Sequence, residues 1–581
     1  MPLSHDGHSR GGALTLSAGT LLSRILGFVR DALVAALLGG GWVADAFLAA
    51  FRLPNFTRRL LSEGAFAYTL LPAYGRARSA GAGWVFTRSA ALWLGGFFAL
   101  LAGLGAAFSG TAAWLVAPGL ESSPGAAELA AGYLRLCLPY LPLAAVAAAA
   151  SAVLLAEERF LGPALSPAAL NVVVIAAAGA AWLVFGPEST GGGTEGDAGQ
   201  RVIRTGYALC AGVVLGGAAQ VLCQLRALWR LGFRARGPVR LADAAVTGPL
   251  RALPGSAFGA AGNQVNILAA AFLASFLGEG GISALYFAER LIEFPVGLIG
   301  ASLGMASLVD LSRPNRPVRQ ARLAGSNGPG MTGNAEGGAD GGVDAGGDAF
   351  AATLGGAMRL TLFFGLPAAF GTACLARPIT ALIFGHGLFG PEALDRTAWA
   401  LLAYTAGLPA LTAMRPLLAA LGALGDSRAP LRAALAGLGV TVVLGLAGLW
   451  GGHVAYVALA VSAGAWGNAY LLAVSLEQRG IRPLPGLAWA AKAFASCAVM
   501  AGCVLYATAA CATDWNAVFF CVPLGVFVYF AAAWAFGLRE AKESFRRAAA
   551  LIRSLPQRQG RNRGIKKAPW KPRGAKTKWG E

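Results

Sequence analysis

The sequence predicts an all-α polytopic membrane protein with about fourteen transmembrane helices. Hydrophobic residues make up 56% of its 581 residues, charged residues only 13%, and the mean hydropathy is +0.59. A soluble chain of this length would hardly be so apolar. Apolar stretches of about 20 residues recur along the chain, which is the length needed to cross a hydrocarbon core about 30 Å thick.

Polar segments divide the chain into fourteen such stretches, which we take as the predicted spans. They cover residues 13–38, 43–71, 85–108, 128–156, 164–186, 203–230, 250–278, 282–311, 351–373, 395–424, 431–451, 454–476, 487–510 and 516–538. The first apolar run contains Arg24 and has no clear small-residue cleavage site, so we expect it to remain as the first span. Abundant glycine, 81 residues, suits close packing of membrane helices.

The distribution of Lys and Arg predicts the topology. With the N-terminus inside, alternate loops carry Arg76, Arg78, Arg88, Arg159, Arg226, Arg230, Arg234, Arg236, Arg240, Arg313, Arg316, Arg319, Arg322, Arg428, Arg432, Arg479 and Arg482. The opposite loops are mainly acidic, with Glu121, Glu188, Glu195, Asp197, Glu279 and Asp514. This positive-inside pattern and an even number of spans predict that both termini are cytoplasmic.

Two kinds of segment lie outside the spans. Residues 323–350 are rich in Gly and Asp and are expected to form a disordered inner linker, and 187–200 a Gly-rich outer loop. Residues 541–581 form a basic tail, which we expect to contact anionic membrane lipids at the cytoplasmic face. The net charge of +19 is therefore not taken as a sign of nucleic-acid binding.

Cofactor and metal sites are not expected. The eight cysteines lie mostly in apolar runs without a CxxC pair, so we interpret them as small buried hydrophobic residues. The four histidines are scattered, and the chain has no HExxH, DxD or P-loop motif. An integral-membrane enzyme would need acid/base or metal groups placed at an interface, so the chain is not expected to be an enzyme.

The first two spans contain charged residues that an apolar helix should exclude. These are Arg24, Arg30, Asp31, Asp45, Arg52, Arg58, Arg59 and Glu63. Because one Arg at the centre of a span costs roughly 2.5–3.5 kcal/mol, several together indicate a functional site that faces protein, water or a ligand. The excess of Arg predicts an anionic substrate.

Helical spacing suggests how these charges are arranged. Arg24 and Asp31 lie on one face of the first span, about 20° apart, so an ion pair between them is an alternative to a binding role. In the second span Asp45, Arg52, Arg59 and Glu63 would align on one stripe, which Pro54 is expected to interrupt. Such broken helices are tolerated in membranes where they line a cavity. The alignment suggests that Asp45 and Glu63 hold the arginine side chains in position until a ligand binds. For Arg58 and Arg59, snorkelling to lipid phosphates remains an alternative.

Two spans in the second half of the chain also carry charge. Glu289, Arg290 and Glu293 lie in the eighth span, where Arg290 and Glu293 are spaced to pair, and Arg415 lies in the tenth. Basic residues in spans 1, 2, 8 and 10 predict a shared cationic cavity between the two halves. The predicted binding residues are Arg24, Arg30, Asp45, Arg52, Arg58, Arg59, Glu63, Arg290, Glu293 and Arg415. Arg forms bidentate, charge-assisted hydrogen bonds with phosphate oxygens, so a diphosphate would fit such a cavity.

The run SRILGFVRDALVAALLGGGWVADAFLAAFRLPNFTRRLLSEGAF resembles the N-terminal signature of the MurJ (MviN) lipid II flippases. This family belongs to the multidrug/oligosaccharidyl-lipid/polysaccharide exporter superfamily. The resemblance continues in NQVNILAAAFLASFLGEGGISALYFAERLIEFPVGLIGASLG and in AYTAGLPALTAMRPLLAALGALGDSRAPLR, and covers roughly residues 13–540. Two positions depart from it: Asp310 stands where the family usually has Pro, and Leu421-Gly422 replaces an aromatic pair.

The resemblance implies two six-helix lobes, at 13–230 and 250–478, followed by two helices at 487–540 that form a groove for the lipid tail. It implies alternating access that moves lipid II, the undecaprenyl-diphosphate-linked peptidoglycan precursor, from the inner to the outer leaflet of the bacterial cytoplasmic membrane. The cell-wall synthesis machinery is an implied partner. Family residues that matter for transport correspond to Arg24, Arg30, Asp45, Arg58, Arg59, Glu63 and Arg290, and Arg415 stands at a position that is usually Lys.

Three other functions are considered for the charged residues in the spans. A multidrug or cation antiporter of the same superfamily would favour carboxylates over Arg in its cavity. A flippase for another polyprenyl-diphosphate glycolipid, such as an O-antigen precursor, cannot be distinguished by charge. Only the N-terminal signature motif distinguishes it from a lipid II flippase. A scaffold that recruits partners through its tail gives no reason for buried Arg. The sequence leaves proton, sodium ion and membrane potential open as the driving force.

Overall fold

The computed structural model describes residues 5–62, 65–185, 195–312, 340–426 and 428–546, with side chains described for most of them. In these ranges the chain is helical apart from short connections, which confirms the all-α prediction. The α-helices are α1 (His5–Leu38), α2 (Trp42–Ser62), α3 (Ala65–Ser79), α4 (Gly83–Ala107), α5 (Ser109–Val116), α6 (Ala126–Cys137), α7 (Tyr140–Ala156), α8 (Leu161–Phe185), α9 (Glu195–Arg230), α10 (Ala244–Ser275), α11 (Gly281–Ser312), α12 (Asp340–Cys374), α13 (Ala376–Phe384), α14 (Pro391–Thr405), α15 (Leu408–Ala423), α16 (Arg428–Leu449), α17 (Val454–Glu477), α18 (Leu487–Ala510) and α19 (Asp514–Ala535).

Helices that are long and apolar enough to cross a membrane occur throughout the described part of the chain. Nine spans there are long and apolar enough to cross a membrane, and the pair α14 and α15, bent by 45° at the break between them, makes a tenth. Four further predicted spans coincide with α1, α2, α10 and α11. Three of these, α1, α2 and α11, carry the intramembrane charges, which explains why apolarity alone does not select them.

Three boundary expectations need correction. The helix α2 continues through Pro54 instead of stopping there, so proline at this position does not break the span. The second predicted span, 43–71, corresponds to α2 and the start of α3, and Glu63 and Gly64 between them lie outside the described residues. Residues 340–350, expected to belong to the disordered linker 323–350, form the first turns of α12; the remaining linker residues lie outside the described ranges.

The helices pack in groups along the chain. Helices α1 to α9 contact mainly one another, as do α10 to α17, and we call these groups the N-terminal and C-terminal halves. Helices α18 and α19 pack on each other, with α18 against α12 and α19 against α13. An apolar cluster that includes Phe363, Met500 and Tyr529 joins them to the C-terminal half.

The two halves touch at the end of the bundle where α1 ends and α11 begins, which we call the closed end. The backbone N–H of Leu388 donates to the carbonyl of Ala36, 2.8 Å away. Gly280 adopts a positive φ of +82°, and a Cβ at this position would lie 2.6 Å from the carbonyl oxygen of Gly40. Glycine therefore permits both the local backbone conformation and the close approach of the two halves here.

Candidate functional site: a cationic cavity between the two halves

A cavity of about 730 Å³ lies between the two halves. Its walls come from α1, α2 and α8 of the N-terminal half and from α10, α11, α14, α15 and α17 of the C-terminal half. Nine charged residues line it: Arg24, Arg30, Asp31, Arg58, Arg59, Glu289, Arg290, Glu293 and Arg415. Six arginines against three carboxylates leave a formal excess of three positive charges, so the cavity favours an anion.

On α1, Arg30 is held in place by two neighbours. Its Nε and Nη2 donate to Oδ1 of Asp31 at 3.0 and 2.7 Å, and its Nη1 donates to Oδ1 of Asn171 on α8 at 3.0 Å. The Asn171 amide in turn donates to the carbonyl of Ser23 at 2.9 Å. Asn171 thus fixes the Arg30 guanidinium through one side chain and ties α8 to α1.

A second set of ion pairs crosses the cavity from one half to the other. Arg59 on α2 donates to both carboxylate oxygens of Glu293 on α11, at 2.7 and 3.1 Å. Arg290 donates to the same carboxylate at 2.6 Å, and its Nε lies 4.0 Å from Oδ2 of Asp31. Charges of alternating sign therefore run continuously from Arg30 through Asp31, Arg290 and Glu293 to Arg59.

Arg24 differs from these arginines because it forms no ion pair with any residue in the described ranges. Its guanidinium lies directly against Gly297 of α11: a Cβ on that glycine would be 1.4 Å from Arg24 Nη1. Arg24 also lines the cavity and is exposed. A cation at a cavity wall with no counter-charge among the described residues is well placed to meet a ligand anion.

Arg58 and Arg415 complete the cationic lining. Arg58 donates from Nε and Nη2 to Oδ1 of Asn55, one turn earlier on α2, at 3.3 and 3.0 Å. That amide orients the guanidinium without neutralising it. Arg415, on α15, is exposed at the cavity wall of the C-terminal half. Both arginines therefore add positive charge to the cavity.

Two predicted site residues lie outside the cavity. Asp45 is only 1% exposed, and its carboxylate accepts hydrogen bonds from the backbone N–H groups of Gly280 and Ser283, each at 2.7 Å. It caps the start of α11 and joins the halves at the closed end, instead of holding an arginine. Arg52, 4% exposed, donates to the carbonyl of Ile267 at 2.9 Å and lies 3.7 Å from Glu289. Glu63 lies outside the described residues.

The alternative ion pair between Arg24 and Asp31 is not formed, because Asp31 pairs with Arg30 and Arg290. The carboxylates that hold the arginines are Asp31, Glu289 and Glu293, of which only Glu293 is among the predicted binding residues. Sequence reasoning also missed Asn171. Its signal was present: a single amide within the apolar run ALNVVVIAAAG of α8.

Metal coordination finds no support where the chain is described: no group of three or more His, Cys, Asp or Glu side chains there could hold a metal ion. The cavity carboxylates are instead engaged by arginines. The arrangement can bind and release an anion, with the three carboxylates as competing partners for the same guanidinium groups.

Comparison with known proteins places the chain in a family. The family model for the lipid II flippase MurJ matches residues 34–526, which is most of the chain. The chain belongs to the MurJ family of lipid II flippases. Members of the MurJ family are transporters and not enzymes, which confirms the prediction that the chain is not an enzyme. The match also decides against the antiporter, the other glycolipid flippase and the scaffold.

Individual relatives agree with this assignment. The probable MurJ of Vibrio cholerae is 30% identical, covering 81% of this chain and 83% of its own. The MurJ of Burkholderia cenocepacia is 29% identical over 91% of this chain and 97% of its own. A solved structure of MurJ in an inward closed conformation aligns with a TM-score of 0.71 at 21% identity, over 90% of this chain and 98% of that chain. This fold match implies about fourteen transmembrane helices.

A more distant structural likeness connects the MurJ fold to drug transporters. An inward-facing multidrug resistance transporter of the MATE family aligns with a TM-score of 0.55 at 15% identity, over 78% of this chain and 94% of that chain. At this identity the likeness concerns the fold alone.

Proposed function

We propose that this chain carries lipid II from the inner to the outer leaflet of the bacterial cytoplasmic membrane, and that the cationic cavity binds the diphosphate of its substrate. The supporting observation is the excess of arginine in a cavity shared by the two halves, with Arg24 free of any ion pair in the described part of the chain. A diphosphate is a compact anion that several guanidinium groups can hold through charge-assisted hydrogen bonds.

Binding in this proposal is an exchange of partners. In the state described, Glu293 accepts hydrogen bonds from Arg59 and Arg290, and Asp31 from Arg30. An incoming diphosphate meets Arg24 first and then competes with these carboxylates for the other arginines. The carboxylates keep the arginines extended before binding and help to displace the product afterwards. Glu63 is proposed to belong to the same set through its correspondence to a family transport residue.

In the proposed transport cycle, the two halves separate first at one end of the molecule and then at the other. The positive-inside pattern supports a cytoplasmic position for both termini, and in this orientation the closed end is the outer one. We propose that Asp45 and its two backbone donors hold this end shut while the substrate enters from the inner leaflet. Opening there and closing at the inner end would then expose the bound head group to the outside, as alternating access requires.

The remaining segments have supporting roles in this scheme. Helices α18 and α19 are proposed to hold the lipid tail while the head group crosses. The basic tail at 541–581 is proposed to contact anionic lipids at the inner face. The cell-wall synthesis machinery would use the lipid II delivered to the outer leaflet.

The decisive experiment depletes the protein in cells and measures how much lipid II is accessible from outside. Wild-type protein should restore accessibility, whereas Arg24→Ala at equal expression should not. Because hydrogen bonds to charged groups contribute about 1.5–3 kcal/mol, we expect at least a tenfold loss of transport. Arg159→Ala removes an exposed arginine between α7 and α8 and should transport normally. Normal transport by Arg24→Ala would refute the proposed role of the cavity.

A further inference from the structure

Two cysteines meet where α18 turns into α19. Cys511 is the first residue after α18, and its backbone N–H donates to the carbonyl of Thr508 at 3.1 Å. The Thr508 hydroxyl oxygen lies 3.6 Å from the sulfur of Cys521 on α19. Cys511 packs against the apolar cluster to which Cys521 belongs. The end of one helix and the facing helix thus bring two cysteine side chains together across a short hairpin.

The surroundings of this pair differ from those of another thiol pair. Cys137 and Cys210 also belong to one apolar cluster, but both are fully buried within the N-terminal half. Cys511 lies at the end of its helix and is half-buried, while Cys521 behind it is 1% exposed. A reagent from the aqueous phase can therefore reach the Cys511–Cys521 pair through Cys511. It cannot reach the buried Cys137–Cys210 pair.

We propose that Cys511 and Cys521 are a redox site that forms an intramolecular disulfide at the outer face of the membrane. This rests on the proposed orientation of the chain, which puts the loop between α18 and α19 outside, where disulfides persist. The nine residues between the two cysteines would form a closed loop that fixes the outer end of the α18–α19 hairpin.

The oxidant is a dithiol carrier in its disulfide form. The thiolate of Cys511, the accessible residue, attacks one carrier sulfur; a mixed disulfide forms and one carrier thiolate leaves. The thiolate of Cys521 then attacks the Cys511 sulfur and releases the second carrier thiolate. Two electrons pass to the carrier, and the two protons lost by the cysteines are balanced by those taken up in the carrier dithiol.

The test counts thiols in the full-length protein. Intact cells are quenched with acid, free thiols are blocked with N-ethylmaleimide, and the protein is reduced and labelled with a polyethylene-glycol maleimide. Wild type should gain two labels per chain, and Cys511→Ser or Cys521→Ser none. Cys137→Ser is the matched control and should still gain two. No label on wild type, or two labels on Cys511→Ser, would overturn the proposal.

A second arm tests the orientation on its own. In a chain carrying Cys511→Ser and Cys521→Ser, a new cysteine introduced by Ala512→Cys should react with a membrane-impermeant maleimide in intact cells. Protection of that cysteine until the membrane is opened would overturn the disulfide. Lipid II accessibility restored by the wild-type chain is measured in parallel, because it tests the proposed transport without reference to the thiols. Transport and disulfide formation can therefore fail separately.

Discussion

Arg59 on α2 and Glu293 on α11 form a two-point ion pair across the cavity, with N–O distances of 2.7 and 3.1 Å. The pair joins the two halves of the molecule at the level of the proposed substrate site. Arg290 shares the same carboxylate at 2.6 Å, so one acidic group restrains two arginines. In the proposed mechanism, substrate binding and contact between the halves therefore depend on the same atoms.

Glu293→Gln should strengthen anion binding and slow transport. The neutral amide releases Arg59 and Arg290 from their counter-charge, so a diphosphate no longer competes with a carboxylate. We expect an undecaprenyl-diphosphate analogue to bind about tenfold more tightly, corresponding to about 1.4 kcal/mol. Binding to purified protein and lipid II accessibility in cells measure the two effects. Weaker binding than wild type would show that Glu293 helps to build the site instead of competing for it.

Gly297→Ala should displace Arg24 without unfolding the protein. The added methyl group would overlap Arg24 Nη1, and a long side chain can move away at little cost to the fold. We expect a loss of transport approaching that of Arg24→Ala, with thermal stability within a few degrees of wild type. Gly439→Ala is the matched control, since a Cβ at that position on α16 would meet no atom within 4 Å. Equal transport by both variants would contradict the role of this contact.

Asn171→Ala should weaken substrate binding by releasing Arg30 on one side. The Arg30 guanidinium keeps its hydrogen bonds to Asp31 but loses the one that orients it toward α8. A hydrogen bond to a charged group contributes about 1.5–3 kcal/mol, so affinity for the diphosphate analogue should fall about tenfold or more.

The matched control for Asn171→Ala is Gln224→Ala, which removes another buried amide from the N-terminal half. Gln224 bonds to Ser151 and Ser166 and does not line the cavity. Both variants should lose thermal stability, and only Asn171→Ala should lose affinity. A similar loss of affinity in both would mean that Asn171 acts through general packing.

Asp45→Ala should make the closed end open more often. The substitution leaves the backbone N–H groups of Gly280 and Ser283 without their acceptor, at a cost of about 1–3 kcal/mol for each buried group. A cysteine introduced by Gly41→Cys should then react with a water-soluble maleimide about ten times faster. Asp395→Ala, which removes an exposed acid paired with Arg377, should leave that rate unchanged. An unchanged rate in Asp45→Ala would show that Asp45 does not hold this end.

The sequence predicted the cationic cavity because charge within an apolar span is visible without any structure. It did not predict the partners of each charge. Asp45 and Arg59 fall on one helical stripe, yet α2 passes from the closed end to the cavity, so residues on one face meet different surroundings. Arg30 and Asp31 point about 100° apart by helical geometry. The Arg30 side chain reaches Asp31 only because it is long enough to fold back.

Glycines at the closed end leave little space between the two halves. The contacts at this end involve Gly280 and Gly387, where an added Cβ would lie 2.6 and 2.4 Å from carbonyl oxygens of the opposite half. Main chain approaches main chain at both glycines, so neither position has room for a side chain. A single methyl group added at Gly280 or Gly387 would therefore force the two halves apart at this end.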